Sequence, residues 1–283
     1  MTRGSAPDND LADRRARAAA AAPAVVSDVT VTDDLLHGVP VMRVRPDAGG
    51  DRTLLWFHGG GYRLGSARTF LGWVANLAVA TKAEVVSVDY RLAPEHPFPE
   101  ALLDACLAYA ALIGSAQRLV IGGESAGGGL AAALFLAIAD RGLEPPVGAV
   151  LCSPWLDLRN DAASFAENAG RDELFPLASA ERAAELYRNG HPADDPYISP
   201  LLGRWPATAP PILVQASSAE SLRDDAVRLG EAAPTARVEL YDDVPHVWHL
   251  GYPDAPGSVE AVASIARFVA EVTSPVPRDL TRL

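Results

Sequence analysis

Short apolar runs with strand character punctuate the chain: VVSDVTV, VPVMRV, TLLWFH, AEVVSVDY, RLVIGG, VGAVLCS, PILVQAS and RVELYDD. The first two lie close together. From TLLWFH onward the runs alternate with stretches of helical periodicity at 69–82, 97–114, 126–141, 222–233 and 257–272. Strand and helix alternating in this way require right-handed crossovers and a mostly parallel sheet covered on both faces. The pattern therefore predicts a three-layer α/β sandwich built on eight strands.

Two segments break the alternation. Residues 1–25 are rich in Ala, Arg and Asp, and suit either a loose amphipathic helix or a mobile arm. Between LCSPWLDLRN and PILVQAS lies an insertion, roughly 160–210, with one helical pattern, ASAERAAELYRNG, amid Pro, Asp and Asn. Long insertions in compact domains tend to be lids or binding loops. Residues 26–283 are otherwise expected to form one domain, a size common for a single α/β unit.

Composition narrows the function classes. Hydrophobic residues make up 49% and charged residues 21%, as in ordinary globular proteins. The net charge of −12 leaves no dense Lys/Arg surface to displace counterions from phosphates, so nucleic acid is not an expected partner. Cys106 and Cys152 lack CxxC spacing and suit buried, reduced thiols. The N-terminus has charges on both sides of a short alanine run and no strongly apolar core, unlike a secretory signal. No segment is apolar for long enough to span a bilayer. These features predict a cytoplasmic protein.

Chemistry enters at Gly123-Glu124-Ser125-Ala126-Gly127, which fits G-x-S-x-G, follows an apolar strand pattern and opens a helical one. In that setting small residues allow a sharp turn that holds a serine strained and exposed as a nucleophile. The pentapeptide alone fits a glycine-rich turn with an N-capping serine equally well. A hydroxyl needs a base within hydrogen-bond reach and a third group to orient that base. Downstream of the serine lie His191, in the insertion, His246, after the last strand pattern, and His249, which could line the pocket. His246 stands where the base belongs.

The orienting acid should follow PILVQAS, where the chain continues SAESLRDDA. Glu220 lies in the loop, with Asp224 as the alternative one helical turn further on. Helix N-terminal charge favoured by the dipole is the bland reading of Glu220. The early segment WFHGGGYRLGS supplies glycines whose backbone N–H groups can approach an oxyanion. Gly60 and Gly61, with the N–H of Ala126, are the expected donors. A phosphate loop fits poorly because no G-K-[ST] follows. Tyr62, Trp155 and Trp248 stand beside these loops and are candidate substrate-binding residues, with plain core packing as the alternative.

Taken together, HGGGY, VDYRLAPEHPFPEALLDA, GESAGGGLA, SPWLDL and VPHVWH resemble, in order and rough spacing, the hormone-sensitive-lipase-like esterases of the α/β-hydrolase fold over about 40–275. The resemblance implies an eight-stranded, mostly parallel sheet with a small cap made from the N-terminal arm and the insertion. It also implies a nucleophile, acid and base at Ser125, Glu220 and His246, with His58 to Gly61 forming the oxyanion segment. Many members have aspartate where this chain has Glu220, and aspartate or threonine where it has Glu124. The expected activity is serine ester hydrolysis of small to medium acyl esters or lactones, with no metal or organic cofactor required. A specialised acyltransferase or hydrolase of a natural-product pathway is the first alternative. A non-catalytic receptor, like the plant gibberellin receptors that lack a working histidine, is the second. A homodimer through the final helix, SVEAVASIARFVAEV, is left open.

Overall fold

The structure, a computed structural model, describes residues 7–20, 27–114 and 118–274. Its centre is a sheet of β1 (Val29–Leu36), β2 (Val39–Pro46), β3 (Thr53–Phe57), β4 (Glu84–Val88), β5 (Leu119–Glu124), β6 (Gly148–Cys152), β7 (Ile212–Ser217) and β8 (Ala236–Tyr241). The spatial order is β1-β2-β4-β3-β5-β6-β7-β8. β2 is antiparallel to both neighbours, and the strands from β4 across to β8 are parallel. Seven of the eight strands fall on the predicted runs to within two or three residues. The first does not. VVSDVTV was expected to be the strand, whereas β1 starts at Val29 and continues through Asp33 and Asp34. Its register is set by a two-residue hairpin turn, His37-Gly38, with φ of 47° and 86°, which tethers β1 to β2 whatever its polarity.

Helices α2 (Leu71–Thr81), α3 (Glu100–Leu112), α4 (Ala126–Asp140), α7 (Arg223–Ala232) and α8 (Ser258–Val272) answer the five predicted helical stretches. Alternate residues of each parallel strand face opposite layers. Leu55, Phe57, Ile121 and Leu151 pack with α3, α4 and α7. Leu54, Trp56, Val120 and Val150 pack with α2 and α8. Burial on both faces explains why these strands are continuous apolar runs rather than alternating ones. The apolar stripe of α8, Ala261, Val262, Ile265, Phe268 and Val269, is spent on this core.

Three further helices lie near the carboxyl ends of the parallel strands. α5 (Ala163–Glu167) and α6 (Leu177–Arg188) belong to the insertion, and α1 (Pro7–Ala20) comes from the N-terminal arm. The helical pattern in the insertion corresponds to α6, while α5 is too short to show a period. Arg15 fastens α1 through the carbonyls of Arg63 and Ala93 at 2.8 and 2.9 Å and through the Glu95 carboxylate at 2.7 Å. The rest of the arm, including 21–26, lies outside the described residues. Both cysteines are free thiols. Among the described residues, no helix is long and apolar enough to cross a membrane.

Candidate active site

Ser125 is the hinge between β5 and α4. Its backbone sits at φ 54°, ψ −122°, a conformation that a residue with a Cβ adopts only under constraint. The constraint is visible at the flanking glycines. A Cβ on Gly123 would stand 2.5 Å from the carbonyl oxygen of Phe57, and one on Gly127 would fall inside that same atom. The first turn of α4 thus presses directly on the end of β3, and only glycine fits. The Ser125 N–H is donated to Cys152 O at 2.9 Å, and its carbonyl accepts from Gly129 and Trp155. With its backbone fixed, Ser125 projects its hydroxyl toward the loop after β8.

That loop brings His246 to it. The imidazole Nε2 is 3.0 Å from Ser125 Oγ, and Nδ1 is 2.6 Å from Glu220 Oε2. Glu220 is fully buried and ends the turn after β7, where its other oxygen accepts the Ser217 N–H at 2.8 Å. The carboxylate accepts the Nδ1–H hydrogen bond, which leaves the Nε2 lone pair facing the hydroxyl. The extra methylene of glutamate is accommodated because the side chain curls back onto its own turn. Asp224 is directed elsewhere: it accepts the Ser164 N–H at 2.9 Å and pairs with Arg223. Asp225, also fully buried, accepts the N–H groups of Leu156 and Asp157, and burial pushes its carboxyl up to about 7.

The glycine loop after β3 completes the constellation. Gly59 has both backbone groups engaged, its N–H with Glu124 Oε1 at 2.6 Å and its carbonyl with His58 Nδ1 at 2.7 Å. Tyr90 holds the His58 carbonyl at 2.7 Å, and the His58 ring is stacked between Phe70 and Tyr90. Gly60 and Gly61 then turn with φ of 114° and 61°, and the Gly60 carbonyl accepts from Arg63 and Leu64. Among the described residues, no hydrogen bond within the protein uses the N–H groups of Gly60, Gly61 or Ala126. Gly60 and Gly61 line the cavity beside Ser125, while Ala126 follows the serine at the N-terminus of α4, where the helix dipole adds to its N–H.

Glu124 was not given a role from the sequence. It is fully buried, accepts from both Gly59 N–H and Trp56 Nε1 at 2.6 Å, and burial pushes its carboxyl up to about 8. It ties the serine turn to the glycine loop. Its partners lie more than sixty residues away, so no local signal could reveal it.

A cavity of about 220 Å³ opens above Ser125 and His246. Its wall comes from Gly59 to Gly61, Arg63, Leu64 and Phe70, from Leu174, Phe175 and Ser179 of the insertion, from Val247 and Leu250, and from Arg14 of α1. Tyr62, Trp155 and Trp248, expected to bind substrate, do not reach it. Tyr62 stacks on Tyr187 at 3.8 Å, Trp155 donates to Asn160 at 2.9 Å, and Trp248 is buried against Val244 and Ala261. Trp155 acts at one remove, edge-on to Phe175, whose ring stacks on His246. His249 is likewise buried, bonded to Gln215 at 3.0 Å, and desolvation lowers it to about 3. His191, in the insertion, packs edge-on against Phe98. The lining residues of the insertion and of α1 were missed because they carry no motif.

Residues 54–250 match the family described as the alpha/beta hydrolase fold. The chain is 38% identical over 237 residues to an acetyl-hydrolase of Streptomyces hygroscopicus, covering 81% of this chain and 79% of that protein. The solved structure of EstE5, soaked with p-nitrophenyl butyrate, superposes with a TM-score of 0.90 at 32% identity over 97% of this chain and 95% of that one. An esterase of the bacterial hormone-sensitive lipase family superposes at 0.89 with 33% identity over 97% and 94%. The chain therefore belongs to the alpha/beta hydrolase fold family and, within it, to the bacterial hormone-sensitive-lipase-like carboxylic ester hydrolases.

Proposed function

We propose that the chain hydrolyses small to medium acyl esters or lactones through an acyl-enzyme on Ser125. The observation that carries this reading is the continuous hydrogen-bonded series Ser125 Oγ, His246, Glu220 at 3.0 and 2.6 Å, opening on one cavity. As Ser125 Oγ bonds to the ester carbonyl carbon, His246 Nε2 takes its proton and Glu220 steadies the resulting imidazolium. The N–H groups of Gly60, Gly61 and Ala126 receive the oxyanion. His246 then protonates the leaving alcohol oxygen as the carbon–oxygen bond breaks. A water deprotonated by His246 attacks the acyl-enzyme, and Ser125 regains its proton.

In this reading α1 and residues 160–210 form the cap over the site. The cavity of about 220 Å³ lies below the roughly 300–1000 Å³ of sites for drug-sized ligands, which favours short acyl groups. The names of the relatives agree: one is an acetyl-hydrolase, and another was soaked with a butyrate ester. The histidine engaged on both nitrogens argues against a non-catalytic receptor. A cytoplasmic location belongs to the same reading and is checked by fractionation of the source cells.

The test is hydrolysis of p-nitrophenyl acetate, butyrate, octanoate and laurate by the wild-type chain and by Ser125→Ala. Turnover of the short esters, declining toward laurate and abolished in the variant, is expected. Turnover that survives Ser125→Ala would sink the assignment.

A further inference from the structure

The cavity above Ser125 has an unusual charge for this molecule. The chain carries a net charge of −12, and most of its described arginines close on a carboxylate. Two arginines, Arg14 and Arg63, are among the residues that line the cavity. Arg63 is buried and held in place by the Ser179 carbonyl and hydroxyl at 3.2 and 2.9 Å. Arg14 is half-buried and has no carboxylate within ion-pair distance among the described residues. The Arg14 guanidinium is not the anchor of α1, because the neighbouring Arg15 supplies it.

Among the described residues, the one acidic residue in the lining is Glu124, whose oxygens are taken by Gly59 and Trp56 and whose carboxyl is pushed up to about 8 by burial. Apart from the arginines, the other described residues of the wall are apolar or neutral, including Leu174, Phe175 and Leu250. A cationic patch with low-dielectric walls, set in an anionic protein, concentrates field on one side of the substrate. It does so where the reacting ester must lie.

We propose that the ester accepted here carries an anionic group such as a carboxylate, and that Arg14 is the residue that selects it. This rests on the esterase reading above. A carboxylate on either the acyl or the alcohol side could reach the same Arg14 guanidinium, and matched substrates separate the two. On the acyl side, mono-p-nitrophenyl adipate is compared with p-nitrophenyl hexanoate. On the alcohol side, p-butyryloxybenzoate is compared with its methyl ester.

The quantity read is the ratio of kcat/KM for the anionic ester to that for its neutral partner. In the wild type one pair should show a ratio above one that shrinks as salt is raised. Arg14→Gln should lower that ratio about tenfold, the worth of one hydrogen bond to a charged group, and Arg14→Lys should retain most of it. A helix α1 merely loosened by substitution would change both esters of a pair alike and leave the ratio where it was. Neutral esters turned over with no preference for either anionic partner, or a ratio indifferent to Arg14→Gln, overturns the proposal and leaves the esterase intact. Loss of all turnover, p-nitrophenyl butyrate included, overturns the esterase reading itself.

Discussion

Glu220 and Asp224 are four residues apart and chemically alike, yet they face different partners. Glu220 accepts from Ser217 N–H and His246 Nδ1, whereas Asp224 accepts from Ser164 N–H and pairs with Arg223. Glu220→Gln keeps the shape but presents an amide that can no longer hold the Nδ1–H tautomer or balance an imidazolium. We expect kcat/KM for p-nitrophenyl butyrate to fall roughly 10³- to 10⁴-fold, the scale known for such a change in serine-protease triads. Asp224→Asn should leave it within about threefold, since it removes one charge from a partly exposed pair. Equal losses in both variants would undo the assignment. The identity of the residue types was legible in the sequence, but the choice between two carboxylates was a matter of spacing. Only the direction in which each side chain leaves its turn separates them.

At the scale of elements, β5, the serine turn and α4 act as one part. Gly127 lies where α4 touches the carbonyl of Phe57 at the end of β3, so the helix and the central strand are in backbone contact. Gly127→Ala places a methyl group inside that contact, with no flexible side chain to yield. It is expected to cost more than about 3 kcal/mol, as overpacking against rigid backbone does. Urea denaturation followed by circular dichroism would measure it. An unchanged midpoint would mean that α4 can slide, and with it the Ala126 N–H. The strand–turn–helix pattern announced this part clearly, because tight turns leave glycine at fixed offsets. The insertion announced itself only as an interruption. Its contribution to the site, Leu174, Phe175 and Ser179, depends on where a long connection settles against α1 and the glycine loop.

For the molecule as a whole, three buried groups tie stability to pH. Burial pushes the Asp225 and Glu124 carboxyls up to about 7 and about 8, against roughly 3.9 and 4.3 when unfolded. Between those limits the folded state keeps protons that the unfolded state releases. Their contribution is therefore greatest at acid pH and is lost as pH rises toward 7 and 8. His249 works in the opposite sense. It stays neutral in the fold down to about 3, while an unfolded histidine gains a proton below roughly 6.5, so stability is lost as pH falls through that window. Asp225→Asn mimics the protonated acid and still accepts from Leu156 and Asp157. It should flatten the decline in stability between pH 5 and 7 relative to wild type, by up to about 1.4 kcal/mol per pH unit. Parallel profiles from chemical denaturation at each pH would show that Asp225 is ionised in the fold throughout.

By itself the sequence determined the layered α/β architecture, seven of its strands, the five helices around the sheet, and the serine, histidine and glycine loop. These are encoded locally, by period, turn chemistry and motif, and such signals survive in a single chain without its partners. The tertiary structure alone decided the rest. It set the register of β1 through the His37-Gly38 turn, turned Tyr62, Trp155 and Trp248 into the core, and made Glu124 the link between two distant loops. It also brought Arg14 of the N-terminal arm to the mouth of the cavity. Each of these depends on contacts between residues far apart in the chain, and an aromatic or an arginine carries no mark of which distant neighbour it will meet.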